Sequence, residues 1–109
     1  MFYEVGIKRS RSGWGGDIAL ATSRDGISWF DRGVVLSEND VVLSFPIVFK
    51  DEDSFYMTVD SRSENNVRLF STRTFPYGWS SVDTLIVGQW NDPVVTYQDS
   101  TYYLFTSKY

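Results

Sequence analysis

The sequence has neither cysteine nor histidine anywhere in its 109 residues. Without cysteine there is no disulfide framework, no thiolate nucleophile and no cysteine-ligated metal, and redox chemistry says nothing about compartment. Without histidine, Ser-His-Asp and Cys-His nucleophile systems and His-containing zinc sites are excluded, together with the side chain that normally titrates near neutrality. Any acid–base chemistry therefore falls mainly to carboxylates, as in glycoside hydrolysis. Long apolar runs are also missing. None approaches the roughly 18 residues of a membrane span, and Met1–Val5 shows no basic stretch leading into an apolar one. A soluble chain is expected, with neither leader nor span, and its localisation is left unspecified. Basic residues are outnumbered, ten Lys and Arg against fourteen Asp and Glu, for a formal charge of −4. Phosphate backbones and anionic lipid repel such a chain, so neither nucleic acid nor a membrane is an expected partner. Lys8, Arg9 and Arg11 stand among Ser10, Ser12 and Gly13 and read as a solvated loop.

What is abundant is aromatic: 17% of residues, with Trp14, Trp29, Trp79 and Trp90 among them. That content favours strands, and at this length one small domain is the ceiling. Strands bounded by turn residues are predicted over 2–7, 18–23, 33–36, 45–49, 55–59, 67–72, 84–87, 94–97 and 102–106. Asp25-Gly26 suits a tight hairpin, and Asp51-Glu52-Asp53-Ser54 and Gln98-Asp99-Ser100 suit short polar turns. The acidic turn at 51–53 could bind calcium weakly, but reads first as solvated, and no metal site or cofactor is predicted.

The sequence also matches itself. Phe45-Pro46-Ile47-Val48-Phe49, a polar turn and Phe55-Tyr56-Met57-Thr58 parallel Asp92-Pro93-Val94-Val95-Thr96, a polar turn and Tyr102-Tyr103-Leu104-Phe105. Pro46 and Pro93 are 47 residues apart, as are Tyr56 and Tyr103. Likewise Leu20 to Trp29 lines up with Leu69 to Trp79. Four-stranded units repeating near fifty residues fit the blades of a β-propeller better than a sandwich. With the strands of a blade called A to D, the chain reads B-C-D over 1–40, A-B-C-D over 41–89 and A-B over 90–109.

A run of about two blades leaves faces and edges uncovered. Homo-oligomerisation would close it: three copies with two blades each give six, so a homotrimer is favoured and a homodimer possible. The terminal B-type strands, 2–7 and 102–106, compete for one place. The other reading is a piece of a longer propeller.

Ala21-Thr22-Ser23-Arg24-Asp25-Gly26-Ile27-Ser28-Trp29, and Asp92-Pro93-Val94-Val95 followed by Tyr102-Tyr103-Leu104-Phe105-Thr106-Ser107, resemble blades of five-bladed propeller glycosidases. These are enzymes of the arabinanase and fructosidase type, in glycoside hydrolase families 43 and 32. Val67-Arg68-Leu69-Phe70, Phe75-Pro76 and Trp79 are also similar to propeller domains attached to some plant glycosyltransferases. In the glycosidases, inner A strands present carboxylates to a central funnel. Asp92 sits at a matching position and is the candidate catalytic residue, or else a cap before Pro93. Phe45 departs from the pattern in the preceding blade, which leaves catalysis open and favours binding over hydrolysis.

Glu4 and Asp60, on B-type strands, are the next candidates for the funnel. Trp14, expected in a loop with Gly15 and Gly16, together with Trp90 and Tyr77, are candidate sugar platforms. Trp29 and Trp79 recur in the repeat and read as blade packing. The expected function is a carbohydrate-binding or carbohydrate-processing propeller with a sugar or glycan ligand. The alternatives are a structural interaction module and a fragment of a larger propeller glycosidase.

Overall fold

The computed structural model of the chain describes residues 1–9 and 13–108, apart from the side chains of residues 7–9, 13 and 14. Its described residues form nine strands and no helix: β1 (Phe2–Arg9), β2 (Gly13–Thr22), β3 (Phe30–Leu36), β4 (Ser44–Asp51), β5 (Ser54–Ser61), β6 (Asn66–Thr72), β7 (Ser80–Val87), β8 (Trp90–Gln98) and β9 (Thr101–Lys108). They lie in three antiparallel sheets, ordered β1-β2-β3, β4-β5-β6-β7 and β8-β9. Strand β4 packs against both β1 and β8, so the first strand of the complete sheet lies innermost.

The core sits between the first two sheets. Ile18 and Leu36 from one side meet Met57, Val59 and Phe70 from the other, with Val41 and Leu43 of the connector between them. Phe2, Val35, Val48 and Trp79 pack on its margin. Alternation explains why β5 is the most enclosed strand: Met57 and Val59 fill the core, while Thr58 and Asp60 turn to the sheet's other face, and all four are buried. Trp79 is anchored by its indole N–H, which donates to the Pro76 carbonyl at 2.9 Å, and stands edge-on to Phe2 at 5.8 Å. Its repeat counterpart Trp29 is exposed.

Two expectations fail at the first hairpin. Trp14, Gly15 and Gly16 belong to β2 rather than to a loop, and Lys8 and Arg9 belong to β1; Ser10, Arg11 and Ser12 lie outside the described residues. The β1–β2 ladder runs without interruption from Phe2↔Leu20 to Arg9↔Gly13. Gly16 serves a close approach: the Leu43 N–H donates to its carbonyl at 2.9 Å, and a Cβ there would lie 2.8 Å from the Leu43 oxygen. The β2–β3 connection likewise spans residues 23–29 instead of forming a tight Asp25-Gly26 hairpin. The Asp25 carboxylate holds it by accepting the N–H groups of Ile27 and Ser28 at 2.8 and 2.9 Å.

The connector between the first two sheets is tied at both ends. Val42 N–H donates to Ser63 Oγ at 2.9 Å, and Glu38 receives both terminal nitrogens of Arg68, which lies over the Phe70 ring. The two sheets thus meet by apolar packing, and a bidentate ion pair holds the connector to the second sheet.

Candidate functional site

One end of the three sheets gathers carboxylates, and the register explains how. Glu4 pairs with Ile18 in the first sheet, and Asp60 pairs with Val67 in the second. Ile18 and Val67 hold the same place in the repeat, so Glu4 and Asp60 are equivalents. In the third sheet that place falls to Ser107, which pairs with Asn91 as Asp60 pairs with Ser44. The second strands of the three sheets therefore bring Glu, Asp and Ser to one level.

The first strands contribute through a shared irregularity. In β4 the ladder skips between Ser44 and Ile47, and in β8 between Asn91 and Val94. Each bulge carries a residue with positive φ immediately before a proline, Phe45 at 50° and Asp92 at 51°. Aspartate tolerates that left-handed conformation, whereas a bulky phenylalanine there is strained. Phe45 nevertheless stays on the surface, 38% exposed.

Hydrogen bonds link these positions across the sheets. Ser44 Oγ donates to Glu4 Oε2 at 2.6 Å, and the Asp92 backbone N–H donates to Asp60 Oδ2 at 2.9 Å. The buried Asp60 thus satisfies the N–H of the β8 bulge and holds Asp92 in place. Burial pushes the Asp60 carboxyl above the usual carboxylate range. The Asp92 N–H opposes that shift, while the charges of Asp92 and Glu4 add to it. Glu4 and Asp92 are exposed, so the cluster offers two accessible carboxylates, one buried carboxyl, the Ser44 hydroxyl and an aromatic ring.

The structure brings together Glu4, Asp60 and Asp92, while Tyr77 lies elsewhere and the Trp90 ring has other contacts. Tyr77 lies between β6 and β7, at the opposite end of its sheet from Asp60. Trp90 begins β8 near Asp92, but its indole N–H donates to the Val87 carbonyl at 3.2 Å and Lys108 Nζ stands 5.4 Å from its ring centroid, so the ring is already engaged. Trp14 has a described backbone, opposite Lys8, and its side chain lies outside the described residues. Phe45, next to Ser44 in the β4 bulge, puts an exposed aromatic at this end. Its signal was in the sequence: it stands 47 residues before Asp92, the offset that relates Pro46 to Pro93. Among the described residues no group of three or more His, Cys, Asp or Glu side chains is arranged to hold a metal ion.

Comparison with known proteins gives both fold and family. A solved structure of a glycoside hydrolase family 32 β-fructofuranosidase of Bombyx mori, in complex with sucrose, superposes with a TM-score of 0.85 over 98% of this chain and 26% of its own. Identity is 18%, so this match establishes the fold, that of β-propeller blades. By sequence, a glucosamine inositolphosphorylceramide transferase 1 of Oryza sativa subsp. indica is 34% identical over 95 residues, and one of Arabidopsis thaliana is 30% identical over 93. These matches cover 86% and 84% of this chain but 13% and 12% of the transferases, so the chain spans about an eighth of those relatives. The likeness to propeller glycosidases is thus one of fold, and the likeness to glycosyltransferase-linked propellers is one of family. With the family model for "Glucosamine inositolphosphorylceramide transferase 1, N-terminal" matching residues 1–109, the chain belongs to that family.

Proposed function

We propose that this chain is a carbohydrate-recognition module that receives a sugar ring or glycan at the end lined by Glu4, Ser44, Phe45, Asp60 and Asp92. The observation that carries the reading is the convergence of Glu4, Asp60 and Asp92 from three separate sheets, interlocked by the Ser44–Glu4 and Asp92–Asp60 hydrogen bonds. Exposed carboxylates accept from sugar hydroxyls, and an exposed aromatic face stacks on the apolar face of a sugar ring. The relatives' name contains glucosamine and an inositol phosphate, both polyhydroxylated rings, and is consistent with such a ligand.

Recognition fits better than hydrolysis. Glycoside hydrolysis needs two carboxyls flanking the scissile bond, about 5 to 10 Å apart according to mechanism. Here Asp60 is committed to the β8 bulge and Glu4 to Ser44, which leaves Asp92 as the uncommitted group. The test is titration calorimetry and a glycan array with the native chain and with Asp92→Asn. Binding that weakens tenfold or more in Asp92→Asn supports recognition. Native hydrolysis that disappears in Asp92→Asn while binding persists would instead make the site catalytic. No glycan affinity in either protein would leave a structural interaction module.

A further inference from the structure

The β4 bulge sets an aromatic where its repeat counterpart has an acid. Phe45 and Asp92 each stand at a ladder irregularity and before a proline, at φ 50° and 51°. Among the described residues the other side chains at positive φ belong to Asp40, Glu52, Asn65, Asp99 and Ser100, all polar. Aspartate and asparagine tolerate this left-handed region, whereas a bulky side chain crowds its own backbone there. The following Pro46 pushes residue 45 further toward extended conformations. Such strain persists where the surrounding structure or a function holds it.

Core packing does not hold it. Phe45 stands outside the core cluster and is 38% exposed, while Phe2, Phe55, Phe75 and Trp79 form ring contacts with one another. Neighbouring strands are not lacking, since β4 lies between β1 and β8 and packs against both. What they bring is acceptors: Ser44, adjacent to Phe45, donates to Glu4 Oε2 at 2.6 Å, and the Asp92 N–H donates to Asp60 Oδ2 at 2.9 Å. The bulges of two adjacent first strands therefore place one exposed aromatic and one exposed carboxylate at the same level of the repeat.

We propose that Phe45 is the specificity-determining residue of the carbohydrate site, and that it selects a six-membered polyhydroxylated ring over a furanose or an open-chain polyol. The inference rests on the sugar reading and names its ligand class. A chair ring with equatorial hydroxyls turns parallel axial C–H bonds to one face, which lies flat on an aromatic ring, while its rim hydroxyls donate to Asp92 and Glu4. A puckered furanose has no such flat C–H face, and an open-chain polyol carries the hydroxyls without any ring. Both satisfy the carboxylates and leave Phe45 uncovered. Selection by Phe45 accounts for a strained aromatic at a place where an acid, as at position 92, fits the backbone better.

An array of immobilised hexopyranosides, β-fructofuranosides and alditols tests it, read with the native chain, Phe45→Asn, Phe45→Tyr and Asp92→Asn. The native chain is expected to bind hexopyranosides about tenfold or more tightly than the other two classes. Asparagine suits the bulge backbone but has no ring. Phe45→Asn should therefore melt within about 5 °C of the native chain, relieved strain offsetting the lost ring contact. It should also bind hexopyranosides about tenfold or more weakly, with the furanoside and alditol signals unchanged. Phe45→Tyr keeps the ring and should keep the preference. A Phe45→Asn chain that does not fold, or melts more than about 10 °C below native, makes Phe45 a packing residue and overturns the inference. A native chain with equal affinity for the three classes overturns it too, as does a preference lost in Phe45→Tyr. Hexopyranoside binding that weakens in Asp92→Asn but not in Phe45→Asn overturns it while the sugar reading stands. A native chain that binds nothing on the array overturns the sugar reading and this inference with it.

Discussion

Met57 and Leu104 stand 47 residues apart at one place in the repeat, and they have opposite fates. Met57, on β5, is fully buried between sheets, while Leu104, on β9, is 37% exposed. Both strands pair with a first strand through a bulge ahead of a proline, so their local structure is the same. They differ in company. Strand β5 has β6 at its other edge and the β1–β3 sheet over its face; β9 has neither. Burying a side chain of this size is worth about 1.5–3 kcal/mol, and here that gain depends on neighbouring sheets rather than on the strand itself.

The sharpest way to break the comparison is to truncate both members. Met57→Ala is expected to cost about 2–5 kcal/mol in urea unfolding, because it opens a cavity between sheets. Leu104→Ala at the same dilution should cost less than about 1 kcal/mol, since half-exposed positions leave little cavity. Equal costs would mean that β9 is covered even in the dilute chain.

A second contrast concerns how closely backbones meet. Gly16→Ala drives a Cβ against the Leu43 carbonyl where the first sheet meets the connector, and should cost about 1–3 kcal/mol. Gly26→Ala places a Cβ in open space, although at φ +76°, and its cost of about 1 kcal/mol would be backbone strain alone. Thermal melts of the two variants distinguish a packing constraint from a conformational one.

The connector offers a smaller test. Glu38→Gln keeps the shape but removes the charge facing Arg68, and a loss of about 1 kcal/mol is expected, reduced in high salt. Lys108 instead lies over the Trp90 ring of its own hairpin, 5.4 Å from its centroid, so a matched change there, Lys108→Gln, should be nearly neutral.

The mildest effect is expected at Asp60, and it depends on pH. Its carboxyl is raised in the folded chain by burial, so the folded state holds the proton more tightly than the unfolded state does. Stability from this group is therefore greatest below the ordinary value of 3.8 and falls as pH rises through the folded value. Asp60→Asn keeps an acceptor for the Asp92 N–H and carries no charge. It should melt above the native chain at pH 7, and the difference should vanish near pH 3. A variant less stable than native at pH 7 would show that the Asp60 charge is compensated there.

Much of this architecture was legible beforehand. The all-β fold and its strands have signatures in the repeat, at an offset of 47 residues for Pro46 and Pro93 and of 49 for Leu20 and Leu69. Three of the residues gathered at the carboxylate end were candidates from the sequence: Asp92 through its Asp-Pro step, and Glu4 and Asp60 as acids within second strands. Phe45 was legible at the same offset but stood out as a departure from an acidic pattern instead of as an aromatic wall. Trp90 and Tyr77 misled because an unrepeated aromatic looks available. The carbonyl that holds the Trp90 indole and the β6–β7 turn that carries Tyr77 away from the carboxylates are tertiary facts.

Short-range chemistry, strand alternation, turn residues and repetition are written along the chain, and they sufficed for the blade grammar. Three matters were decided by tertiary structure. Gly16 sits in a strand because a distant carbonyl needs its space; Asp60 is a positioning group because the β8 bulge needs an acceptor; and β5 is enclosed while β9 is open. Each depends on which sheet lies beside which, a contact between residues far apart in the chain that no local pattern records.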